Sequence, residues 1–201
     1  MKLYGFPLSG NVHKVRLLLS ALRLPYEEVT VDIPGGLHKQ PAFLAINPRG
    51  QVPALEDNAT RIVDAQAILS YLAQKYDAEG KWLPRKPEEA CLVQQWLSFA
   101  SNEIQNGPHL ARIHALLGVP VPVEHVQAVS RGALTILEQH LARTGDWLEL
   151  GRPTIADLAC FPCVALAPDG KLDLAPYPHI LKWIARIKQL PSYVAMPGLE
   201  R

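Results

Sequence analysis

Residues 47–57 read Asn47-Pro48-Arg49-Gly50-Gln51-Val52-Pro53-Ala54-Leu55-Glu56-Asp57. A turn signal, Asn-Pro with Gly50 two residues on, runs directly into a short apolar stretch that Pro53 interrupts near its start. Proline removes a ladder hydrogen bond, so Pro53 belongs at an edge, a first strand position or a bend. Were the Val52-Pro53 bond cis, the amide and carbonyl of Val52 would point outward, free to pair with an extended ligand. The plainer alternative is an ordinary turn leading into an edge strand. The surrounding chain decides between them.

Immediately downstream, residues 52–55 predict a strand, Asp57-Asn58 a turn, and Arg61-Ile62-Val63 the partner strand. Asp64 then stands at a helix entrance, with Ala65, Ile68 or Leu69, Leu72 and Tyr76 on the buried face of a helix that runs out between Asp77 and Gly80. Upstream, Lys2-Leu3-Tyr4-Gly5-Phe6 predicts a first strand, ended by Pro7 and the small polar cluster Ser9-Gly10-Asn11. Val12, Val15, Leu18 or Leu19 and Leu22 follow at helical spacing, with His13, Lys14, Arg16 and Arg23 assigned to the other faces. Residues 26–31 predict a second strand, Pro34-Gly35-Gly36 a loop, and residues 38–46 a short irregular helix, implying a crossover back to a parallel strand. The order over the first half is β-α-β-α-β-β-α.

Beyond it, Lys81-Trp82-Leu83-Pro84-Arg85-Lys86-Pro87 has two prolines, three basic residues and no periodicity, the composition of a linker. Everything after reads as helix. Residues 88–115 form a long helical region that Gly107-Pro108 should bend or break. Residues 118–122 are a loop, and residues 124–143 carry Val126, Val129, Ala133, Ile136 or Leu137 and Leu141 on one stripe, with Gly145 just past the end. Thr154 and Asp157 form a capping-box variant that starts a buried helix. Residues 178–190 make the last helix, stopped by Pro191. The expected division is an α/β domain over 1–78, a linker over 79–87 and an all-α domain over 88–201.

With 201 residues and 48% hydrophobic composition the chain can bury a sizeable core. Twenty basic against 19 acidic residues leave a formal charge of +1, which recommends neither nucleic acid nor an acidic arm. The first ten residues lack the apolar run of a secretion signal and no stretch suits membrane insertion, so a cytoplasmic protein with no membrane partner is expected. Three cysteines, Cys91, Cys160 and Cys163, are too few for a disulfide framework. The pair Cys160-Phe161-Pro162-Cys163 has redox spacing but falls two turns inside a capped helix among apolar residues, so buried, inert thiols are expected and no metal site. Trp96 and Trp183 read as packing anchors.

Taken together, Ser9 after the first strand, His38-Lys39-Gln40-Pro41-Ala42-Phe43-Leu44, residues 47–55, Asp64-Ala65 and Thr154-Ile155-Ala156-Asp157 resemble the cytosolic glutathione transferases. The resemblance covers essentially the whole chain, and its first half is most similar to the serine-type classes, phi and theta. It implies a thioredoxin-like βαβαββα domain that binds glutathione, an all-helical domain that supplies most of the pocket for a hydrophobic electrophile, and a homodimer. Glutathione is then a co-substrate and no other cofactor is implied.

Carried over residue by residue, Ser9 matches the hydroxyl that donates to the glutathione sulfur and Val52, before Pro53, the residue that pairs with the cysteinyl backbone. His38 and Lys39 match positions that hold the glycine carboxylate, with Gln51 an amide donor beside the same edge. Asp64 matches the acidic residue that meets the γ-glutamyl ammonium. Ala65 departs from the serine many relatives use, leaving only its amide for the γ-glutamyl carboxylate, so one hydrogen bond should be lost. Pro7, Leu8, Phe99, Asn106, His109 and Ile113 fall where relatives line the electrophile cavity; ordinary packing is the alternative for each.

Chemistry supports Ser9 independently. A thiol of pKa ~8.5 is only a few per cent thiolate at neutral pH; lowering it by about two units, worth roughly 2.7 kcal/mol, makes thiolate the majority form. A hydroxyl donor shares that task with the amides and positive dipole end of the helix that starts near Asn11. Serine is also a common helix N-cap, and Asn11 is either a cap or a second donor to sulfur. The competing class is a non-catalytic module of the same fold; a glutathione-dependent peroxidase, dehalogenase or isomerase would use the same first half.

Overall fold

The computed structural model describes residues 1–200; Arg201, the end of the expected helical domain, lies outside them. A four-stranded sheet of order β2-β1-β3-β4 forms the first half, from β1 (Lys2–Gly5), β2 (Glu27–Thr30), β3 (Ala54–Asp57) and β4 (Thr60–Val63). Leu3 of β1 and Leu55 of β3 face each other in register and are fully buried, so the sheet's centre is its driest part. The crossover from β1 to parallel β2 is α1 (Gly10–Ala21). The second crossover, through α2 (Pro41–Leu44), returns to β3, which runs antiparallel to β1 rather than parallel as expected. The strand also starts later than the apolar run: Val52 and Pro53 precede it, because Pro53 has no N–H to offer the ladder.

Helix α1 is capped by Ser9, whose Oγ accepts from the Val12 amide at 3.3 Å. It buries Val12, Val15, Leu18 and Leu19, but also His13 and Lys14, which sequence assigned to polar faces. The reason is that α1 is covered twice. One side sets Val12 against Gly5 of β1 and packs on α3 (Ala65–Tyr76), the other packs on α7 (Ile155–Ala165), so little of its circumference meets water.

No helix or strand forms between Tyr76 and Pro87, and the elements named after it are helices: α4 (Pro87–Phe99), α5 (Leu110–Leu117), α6 (Val123–Thr144), α7 and α8 (Pro178–Lys188). Gly107-Pro108 does not break the chain. Residues Ala100–His109 widen into π-type turns that join α4 to α5, absorbing the amide missing at Pro108. Gly107 has a separate purpose: a Cβ there would lie 3.0 Å from Ser130 Cα and N, so its absence lets α6 approach the π segment.

The most deeply buried element is α7. Thr154 Oγ1 accepts from the Ala156 amide, and the Asp157 carboxylate accepts from the Thr154 amide at 2.9 Å, closing the predicted capping box. Asp157 Oδ1 also accepts from the Leu148 amide at 3.1 Å and from Trp183 Nε1 at 2.9 Å, tying the preceding loop and α8 to the start of α7. Cys160 and Cys163 are buried, free thiols on this helix, and burial pushes the Cys160 thiol well up.

Candidate functional site

The loop ahead of β3 is built on one buried side chain. Asn47, 1% exposed, donates from Nδ2 to the Gln51 carbonyl at 2.7 Å and accepts on Oδ1 from the Arg49 amide at 3.0 Å. Gly50 turns with φ 58° against the 37–39 turn, where a Cβ would meet the His38 carbonyl at 2.9 Å, so no side chain fits. Lys39 Nζ reaches the Gly50 carbonyl at 3.4 Å. This clamp presents Gln51, Val52 and Pro53, joined at 52–53 by a cis bond, along one wall of a cavity of about 350 Å³.

The second wall is the start of α3. Asp64 holds φ 87°, a conformation L-residues rarely adopt, and caps the helix by accepting on Oδ1 from the amides of Gln66 and Ala67 at 3.0 and 3.1 Å. Its other oxygen has only a distant ion pair, 3.9 Å to Arg49. The Ala65 N–H, at the first helical position, has no intrahelical acceptor, and the positive end of the α3 dipole faces the cavity there. An anion beside Ala65 and a cation beside Asp64 are what this wall favours.

The third wall comes from α1 and the π segment, through Asn11, Ser101, Gln105 and Asn106. Asn11 Nδ2 donates to Gln105 Oε1 at 3.1 Å, latching the two halves of the molecule together over the site. Beneath them His109 Nδ1 lies 3.8 Å from Cys163 Sγ, which is 4.0 Å from Asn11 Oδ1. Burial, and then the charges of Lys14 and Arg112, push His109 down to a pKa of about 3, so this imidazole is neutral. A peptide-like edge, a helix N-terminus with a free carboxylate oxygen and a wall of carboxamides thus meet in one cleft.

A family model described as the N-terminal domain of glutathione S-transferase matches residues 3–81, and one for the C-terminal domain matches residues 123–191. Glutathione S-transferase 3 of Zea mays is 35% identical over 204 residues, covering 96% of this chain and 91% of its own length. The chain belongs to the glutathione S-transferase family. The Disulfide-bond oxidoreductase YfcG of Escherichia coli is 30% identical, with 93% of this chain and 90% of its own covered. The crystal structure of a glutathione S-transferase from Pseudomonas fluorescens superimposes with a TM-score of 0.89 at 35% identity, over 97% of this chain and 98% of that one.

In this glutathione S-transferase the cavity brings together Asn11, Gln51, Val52, Pro53, Asp64, Ala65 and Asn106 of the residues singled out from sequence. Ser9 sits at the α1 N-terminus behind Asn11, its Oγ accepting from Val12 and its proton free to donate. His38 and Lys39 lie outside the lining, on the 37–39 turn that supports Gly50; burial and then Lys39 lower the His38 pKa. Of the expected electrophile set only Asn106 lines the cavity. Pro7 is exposed, and Leu8 offers its carbonyl to Arg112 Nη1 at 2.7 Å. His109 lies beneath the wall and Ile113 is half-buried farther along α5. Phe99 turns away to meet Trp96 edge-on at 5.1 Å and lines a separate open groove with Ile136 and His140. That groove is larger, about 490 Å³, but no helix N-terminus of α1 or α3 opens into it.

Sequence reasoning missed Arg49, Gln66, Ser101 and Gln105 on the lining. Gln66 follows Ala65, and Arg49 lies two residues before Gln51 in the turn quoted at the outset, so the signal was within reach. Ser101 and Gln105 become legible only once the π turns fix which face of residues 100–109 looks at Asn11. Arg112 was missed as well: it is 4% exposed, pairs with Asp169 at 2.8 Å and fixes the loop before α1 through Leu8.

Proposed function

We propose that the cavity binds glutathione and that the protein conjugates its thiolate to an electrophilic small molecule. The observation that carries this reading is the pairing of the Val52 edge with the α3 N-terminus across one cleft, where the second Asp64 oxygen, 3.9 Å from Arg49, stands beside the first helical amide, that of Ala65. Val52 pairs with the cysteinyl backbone of the tripeptide, Asp64 meets the γ-glutamyl ammonium, and the Ala65 amide with the helix dipole receives the γ-glutamyl carboxylate. Gln51 and Lys39, with His38 behind, serve the glycine end. The sulfur then lies toward the start of α1, where Ser9 donates its hydroxyl proton and Asn11 adds an amide. The thiolate attacks an electrophilic carbon, a C–S bond forms as the leaving group departs with its electron pair, and the thiol proton goes to solvent. Asn106, on the cavity lining, borders the approach of the electrophile. The protein acts in the cytoplasm as a homodimer, a state supported by the exposed Ile136 on the Trp96–Phe99 groove.

The polar third wall favours a second reading on the same residues. Asn11, Ser101, Gln105 and Asn106 suit a hydrogen-bonding second substrate better than a flat apolar one, and a relative is named as a disulfide-bond oxidoreductase. There the glutathione thiolate attacks a disulfide sulfur, releasing one thiolate, and a second glutathione resolves the mixed disulfide.

The test is a titration of glutathione into wild type and Ser9→Ala, with ultraviolet absorbance of bound thiolate followed across pH. Saturable binding with a lowered thiol pKa that rises in the variant supports the transferase site. No binding at millimolar glutathione refutes it and leaves a non-catalytic module. Rates with 1-chloro-2,4-dinitrobenzene and with hydroxyethyl disulfide then separate conjugation from disulfide reduction.

A further inference from the structure

Lys14 is fully buried, its Nζ makes no hydrogen bond, and among the described residues no carboxylate oxygen lies within 4 Å of it. Long side chains on a helix lean back over the preceding turn, which for Lys14 holds Gly10 and Asn11 at the start of α1. Gly10 packs on Cys163, where a Cβ would come within 3.3 Å of the sulfur, and Cys163 touches the layer formed by His109 and Asn11. The Lys14 charge is felt on that layer, since it helps lower the His109 pKa and acts on Cys160.

The groups around it do not neutralise it. From the π segment come neutral His109 and, farther off, Glu103; from α5, Arg112, already committed to Asp169 and the Leu8 carbonyl. From α7 come Cys160 and Cys163, with Asp157 occupied by Thr154, Leu148 and Trp183. Helix α3 turns Ala65, Gln66, Ile68, Leu69 and Leu72 inward, none of them charged. On α1 itself His13 is held neutral by burial, and Arg16 is paired with Glu28 outside. A buried charge is tolerated when it has a counter-ion, and none is supplied within 4 Å among the described residues.

We propose that Lys14 is a positioning residue for the sulfur end of the site: its buried ammonium, leaning toward the first turn of α1, has the bound glutathione thiolate as its counter-ion. This rests on the glutathione reading above. Lys14 does not touch the substrate. It reinforces the unpartnered first amides of α1 from behind, in a medium of low dielectric where a unit charge one turn away is weakly screened.

Wild type, Lys14→Met, Lys14→Gln and Lys14→Arg are titrated with glutathione for the bound-thiol pKa, and with S-methylglutathione, which has no thiol to ionise. In Lys14→Met and Lys14→Gln the bound thiol is expected to titrate about one pH unit higher, a tenfold loss of thiolate or roughly 1.4 kcal/mol, with S-methylglutathione affinity unchanged and Lys14→Arg recovering most of the shift. Folded variants that titrate like wild type overturn the proposal, as does a parallel loss of S-methylglutathione affinity, which marks a role in holding the ligand. If neither neutral variant folds, Lys14 is structural and the proposal falls. Failure of wild type to bind either ligand overturns the glutathione reading instead.

Discussion

Acidification from pH 7 to pH 5 should destabilise the protein through His13, and replacing that side chain should remove its share of the effect. His13 is fully buried on α1, edge-on to Tyr193 at 6.5 Å, and against the Val194 backbone without a hydrogen bond of good geometry on either ring nitrogen. Burial first, then the Arg16 charge, push its pKa from 6.5 to about 3. Between those values the unfolded chain binds a proton that the folded chain refuses, so stability is full above pH 6.5 and falls as pH drops toward 3. The slope is about 1.4 kcal/mol per pH unit, so reaching pH 5 costs about 2 kcal/mol through His13 alone. His109 acts in the same direction. The lowered carboxylates do not confuse the window. Asp57, held at about 2 by Lys75, Tyr76 and Tyr71, and Glu56 and Glu138, held below 4.5, contribute stability that is retained above their unfolded values and lost only at lower pH. The assay is reversible urea unfolding by tryptophan fluorescence at both pH values, for wild type and His13→Leu. The variant should lose about 2 kcal/mol less than wild type between pH 7 and 5. Equal losses would refute a neutral, buried His13.

Asp157→Ala removes the acceptor of Thr154, Leu148 and Trp183 together, and should cost about 3 kcal/mol or more in chemical unfolding, with a changed Trp183 emission. Gly107→Val forces side-chain atoms against the Ser130 backbone, 3.0 Å from where a Cβ would sit; it should cost about 1–3 kcal/mol and lower the thermal midpoint, and an unchanged midpoint would show that α6 can move away. Ser9→Ala removes the α1 cap, with an expected loss of about 1 kcal/mol at pH 7, measured without ligand so that it is separate from any change in the bound thiol.

What could be read from sequence was whatever depends on local chemistry. Asn47 and Gly50 announce a turn, Ser9, Asp64 and Thr154 announce helix starts, and all three cap their helices as hydrogen-bond acceptors. What could not be read depends on a second layer of packing. The inward turn of His13 and Lys14 follows from α7 and the segment at Tyr193 and Val194 covering the sides of α1 that a two-layer reading leaves in water. β3 returns antiparallel to β1, and strand direction leaves no mark on an apolar run of four residues. Gln105 looks in an unforeseen direction because periodicity counted at 3.6 residues per turn slips when the helix widens over residues 100–109.

That widening also links the fold to the chemistry. In an unbroken α-helix through residue 108, the proline ring would clash with the carbonyl of residue 104 and leave that same carbonyl without its helical donor. The π turns remove both conflicts, and Gly107 lets α6 close on the same segment from outside. The cost of an irregular helix is offset by close packing against α6, and the result is a rigid ledge whose Ser101, Gln105 and Asn106 face the cavity while Ile104 stays in the core. The Asn11–Gln105 hydrogen bond then couples that ledge to the start of α1. Replacing Gln105 by leucine should therefore loosen the approach of the two halves without touching Val52 or Asp64, changing selectivity among second substrates more than affinity for glutathione. Calorimetric titration beside a substrate panel checks this: a glutathione affinity that falls as far as the second-substrate rates would show that the ledge belongs to the glutathione site itself.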